Sequence, residues 1–125
     1  DDDMPKWKTD RNGDIWGGFV LKTLMDINQD GMVAGEPMIT HLKEGNYRRN
    51  IWQEHLCHLV NDEFLALLSE IKETLEPGSY LEMMKATTEA LRLRTDGSSP
   101  ILKAYLKHLC NALDAWTASL DQIVS

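Results

Sequence analysis

The sequence is short of the features that announce a chemistry. It has two cysteines in 125 residues, Cys57 and Cys110, and no CxxC pair. Zinc-ribbon and thioredoxin-like motifs are therefore excluded. Two isolated thiols suit a reduced cytosolic protein or a secreted one with a single disulfide, and the cytoplasm is favoured. No apolar run approaches the roughly 20 residues that cross a bilayer, and no secretory leader is visible. The chain opens on "DDDMPKW", which reads as a tag remnant ahead of Met4 or as a processed end. Positive charge is scarce: 13 Lys and Arg stand against 20 Asp and Glu, a net charge of −7. That argues against nucleic acid, whose backbone needs clustered cations, and against anionic membrane surfaces. The one compact basic spot is Arg48 and Arg49. Nucleophile elbows, P-loops and GxGxxG turns are all missing.

What is present is helical periodicity. From Asp14, which suits an N-cap, Ile15, Trp16, Phe19, Val20 and Leu24 recur at three- and four-residue spacings. Gly17 and Gly18 either weaken this helix or let another backbone come close. "EPMITHLKEG" reads as a short helix, with Pro37 at its first position and Gly45 after its end. A long helix follows over about 50–76, with Leu56, Val60, Phe64, Leu67, Ile71 and Leu75 on its stripe. Ser79 and Glu82 form a capping box that starts the next helix, which runs to about Arg94. Its inner face is read as Tyr80, Met84, Thr87 and Leu91. Ser99 then caps the last helix and Pro100 opens it. There Leu102, Leu106, Leu109, Leu113, Trp116, Leu120 and Ile123 step by four and three, a heptad seam. The expected fold is all-α: an antiparallel helical bundle of four to five helices, two of them long. Residues 1–13 form a flexible lead and 14–125 a single domain.

The most informative short stretch is "DINQDGMVAGEP", residues 26–37. Asp26, Asn28 and Asp30 alternate, Gly31 is sixth and Val33 eighth. Over these eight positions it resembles an EF-hand or dockerin-type loop, lying here between the first two helices. The resemblance implies calcium held by Asp26, Asn28, Asp30 and the Met32 carbonyl. The twelfth place, where a bidentate Glu belongs, is Pro37, and Glu36 comes one position early. A turn between two helices, with Asn, Asp and Gly supplying caps and positive φ, is the favoured reading. A weak calcium site including Glu36 is the other.

"EHLCHL" and "KHLCNAL" repeat His-Leu-Cys in the two long helices. A metal site from Cys57, His58, His108 and Cys110 is disfavoured, because His108 and Cys110 diverge by about 200° on a helix. Buried thiols are preferred over a Cys57–Cys110 disulfide. Glu70 with Glu73, and Asp62 with Glu63, read as solvated faces. Trp52 and Trp116 fall on core stripes. Trp7, Trp16, Met83 and Met84 are candidates for contacting a partner. These observations point to a non-catalytic protein–protein interaction domain, an adaptor, inhibitor or regulatory module. Its partner would be another protein with a basic surface. A calcium-responsive module and a secreted cytokine-like ligand are the alternatives.

Overall fold

The computed structural model describes residues 13–42 and 45–124, without the side chains of residues 52, 53, 56 and 124. Among the described residues the chain is all-helical, with no strand. The elements are α1 (Gly13–Asn28), α2 (Tyr47–Lys72), α3 (Tyr80–Arg94), a 3₁₀ turn (Thr95–Gly97) and α4 (Pro100–Val124).

Local chemistry sets most of these boundaries. The Asn46 side chain accepts from the Arg49 N–H and caps α2. The capping box at α3 is present as read: the Ser79 side chain accepts from the Glu82 N–H, and the Glu82 carboxylate accepts from the Ser79 N–H. The end of α1 uses Gln29 rather than a glycine. Gln29 has φ of 58°, and the Asp30 N–H reaches back to the Met25 carbonyl at 2.9 Å. That is the geometry of a left-handed helix cap. Gly17 and Gly18 lie on the exposed side of α1, where an added Cβ would meet nothing within 4 Å. Among the described residues no backbone approaches them there.

The short helix expected over 36–45 does not form in its described part. Residues 36–42 are irregular and exposed. A helix of two turns is marginal without a surface to pack on, and Met38, Ile39 and Leu42 are 96%, 87% and 90% exposed.

The core is built on Trp16, which is 1% exposed. Its ring stacks on Phe64 of α2 at 4.4 Å between centroids and meets Tyr105 of α4 edge-on at 4.3 Å. Both arrangements suit the aromatic quadrupole. The indole N–H donates to the Asn61 side-chain oxygen at 2.6 Å, so its polar atom is satisfied. Val20, Cys57, Val60, Leu68, Ile71, Leu91, Leu102, Leu106 and Cys110 complete the cluster.

Contacts along the helices give their directions. On α1 and α2, Trp16 meets Asn61 and Asp26 meets Lys72. Both numbers rise together, so these two helices run the same way. Glu63 meets Ser99, and Tyr105 feels Cys57, so α2 and α4 run oppositely. Lys85 pairs with Asp121 and Arg92 with Asp114, which makes α3 and α4 antiparallel. The sequence reading of antiparallel sequential neighbours is thus corrected at α1 and α2. The connection over residues 29–46 permits the return. An extended residue covers about 3.3 Å, whereas a helical one rises about 1.5 Å.

Stripe positions need adjusting too. On α2 Leu68 is buried and Leu67 only half-buried. On α3 Met83, Thr87, Thr88 and Leu91 are buried, while Tyr80 is exposed. The buried threonines satisfy their hydroxyls on carbonyls one turn back, Thr87 on Met83 and Thr88 on Met84. On α4 the seam is buried at Leu102 and Leu106. It is half-buried at Leu109, Leu113 and Leu120, and exposed at Trp116 and Ile123. A straight helix drifts by about 20° per heptad against a strict seven-residue repeat. The buried line accordingly shifts to Cys110 and Thr117. Trp116, expected in the core, is 49% exposed. The Trp52 side chain lies outside the described set.

Candidate functional site

The alternating acidic stretch is where side chains from most of the helices gather. The Asp26 carboxylate accepts from Lys22, one turn earlier, and from Lys72 at the end of α2, the latter at 3.2 Å. Asn28 grips the backbone of Gly78 with both ends of its amide. It donates to the Gly78 carbonyl at 3.0 Å and accepts from the Gly78 N–H at 3.2 Å. Asp30 accepts from the Tyr80 hydroxyl at the start of α3. Three alternate positions thus reach three separate places: α2, the turn before α3, and α3 itself. The alternation that suggests a calcium loop works here as a clasp between helices. Met32 lies beyond it and is 68% exposed, and Glu36 is also exposed. The structure does not bring Glu36 together with the other three in any described contact. Among the described residues, no three His, Cys, Asp or Glu side chains group as a metal would require.

The clasp perturbs its own ionisations. Hydrogen bonds from Lys22 and then Lys72 hold the Asp26 carboxyl below the usual carboxylate range. The Asp30 carboxylate pushes the Tyr80 phenol up. Elsewhere the Ser79 cap lowers Glu82, and Lys103 lowers Asp96. For carboxyls depressed in the folded state, the stabilising contribution is complete above the unfolded value, about 4, and is lost as pH falls through the folded values. The melting temperature should therefore hold from pH 7 to 5 and fall below about pH 4. In Asp26→Asn the acid fall should be shallower, because one contributor is gone at every pH. A melting temperature that is flat down to pH 3 would contradict this assignment.

The two thiols are buried core groups, Cys57 at 3% and Cys110 at 1% exposure. The Cys110 Sγ lies 3.7 Å from the Thr88 carbonyl, and burial raises its pKa. A raised pKa makes a poor nucleophile at neutral pH. His55, His58 and His108 stand exposed on the outer faces. Burial also pushes the Tyr105 phenol up to about 12.

Of the residues read as partner contacts, Trp16 and Met83 are in the interior, Met83 at 2% exposure. The reading of these two as surface anchors is corrected, since their area is already spent on the core. Met84 is half-buried, and Trp7 lies outside the described residues. Glu63, taken as part of a solvated pair, has a structural role. Its carboxylate accepts from the Ser99 N–H at 2.7 Å and from the Ser99 hydroxyl. A carboxylate there also favours the positive end of the α4 dipole. Asn61 and Glu63 gave no local signal, because each depends on a partner about 40 residues away.

With this geometry in view, comparison with known proteins supplies what short motifs do not. The sequence matches the family described as "Reversibly glycosylated polypeptide" over residues 1–125. The chain belongs to that family. Among curated proteins the chain is similar to UDP-arabinopyranose mutase 1 of Arabidopsis thaliana, 26% identical over 117 residues. It is also similar to UDP-arabinopyranose mutase 2 of the same plant, 28% identical over 121 residues. Each match covers 90% of this chain and 30% of the relative. The chain therefore spans about 30% of the length of the curated relatives it matches. No solved structure matches it.

Family membership overturns the functional expectation drawn from the residues. A non-catalytic adaptor, inhibitor or regulatory module is not what this family and these relatives indicate, nor is a calcium-responsive module or a cytokine-like ligand. They indicate an enzyme family acting in sugar chemistry. Missing nucleophile and phosphate motifs were poor grounds for excluding catalysis in a sequence whose patterns mostly encode helix packing.

Proposed function

We propose that the protein is a UDP-sugar mutase and that these residues form a helical portion of it. One observation carries this reading: the family match runs over residues 1–125, and both curated relatives are named UDP-arabinopyranose mutases. In this reading residues 14–125 act as one helical bundle, α1 running with α2 and α3 folding back on α4. The aromatic cluster around Trp16 supports such a unit, because it ties three helices together. Contact with another protein surface belongs to the same proposal. It is supported by the exposed apolar residues of the 29–46 connection and by the net charge of −7, which favours a basic partner. Two buried thiols support a reducing compartment, the cytoplasm. No described helix is long and apolar enough to cross a membrane.

A ligand that binds only the folded state raises its stability, by about 2.7 kcal/mol at 100 times Kd. Millimolar UDP-arabinopyranose, and UDP alone, should raise the melting temperature of the protein purified from its native source. Free arabinose should leave it unchanged. A melting curve indifferent to both nucleotides would overturn the assignment of a UDP-sugar substrate.

A further inference from the structure

We draw no further inference here: the strongest candidate, the exposed apolar stretch from Met32 to Leu42 in the connection between α1 and α2, is an unpartnered surface, and nothing in the structure shows what covers it.

Discussion

Replacing Trp16 by alanine should cost about 3–5 kcal/mol of folding stability, the range for deleting a buried aromatic side chain. Besides the hydrogen bond to Asn61, the loss has three physical parts. The indole's apolar area is no longer withdrawn from water on folding, so its hydrophobic contribution vanishes. The stacked contact with Phe64 and the edge contact with Tyr105 disappear together, each worth about 0.5–1.5 kcal/mol beyond area. A cavity is left between α1, α2 and α4 that rigid helices fill only in part. Domains of this kind are stable by only about 5–15 kcal/mol, so the variant should melt at a much lower temperature. Asn61→Ala separates the polar share, since it leaves the indole N–H without its acceptor. That change should cost about 1–3 kcal/mol. Denaturant titration followed by circular dichroism measures both. A Trp16→Ala loss below 1 kcal/mol would mean that the ring is not central to the core.

The second large effect lies on α4, where two residues of one heptad seam should behave differently. Leu106 is fully buried and Trp116 is 49% exposed. Leu106→Ala should cost about 2–5 kcal/mol through lost transfer energy and a cavity. Trp116→Ala removes a larger side chain, yet should cost about 1 kcal/mol or less, because half its surface already meets water. Sequence alone predicts the reverse order, with the larger seam residue mattering more. Equal losses at the two positions would show that the seam stays buried to the end of α4 and that the drift described above is absent.

The contrast shows which parts of the molecule could be read from sequence. Features set within one turn of helix were legible. Ser79 and Glu82 announce the start of α3, Pro100 opens α4, and Leu102 with Leu106 marks a buried face. The thiols of Cys57 and Cys110 are core groups as expected. Features that depend on distant partners were not legible. Asp26, Asn28 and Asp30 have the spacing of cation ligands, but Lys72, Gly78 and Tyr80 are what they meet. Trp16 can be judged inside or outside only when Phe64 and Tyr105 are placed beside it. The direction of α1 relative to α2 depends on the 29–46 connection, which carries helix signals at Pro37 and Gly45 but has no helix over its described part. Function was least legible, since amphipathic helices record packing. The family is recognised from similarity spread along residues 1–125, and the proposed UDP-sugar activity rests on what the two curated relatives are named.

Turnover tests the proposed function most directly. The protein from its native source, shown to be folded by a cooperative melt, is incubated with UDP-arabinopyranose, and the UDP-sugars are separated by chromatography. The predicted result is a second UDP-arabinose isomer that accumulates to a fixed ratio, the same ratio being approached when that isomer is supplied instead. UDP-arabinopyranose recovered unchanged after prolonged incubation with the folded protein would contradict the assignment.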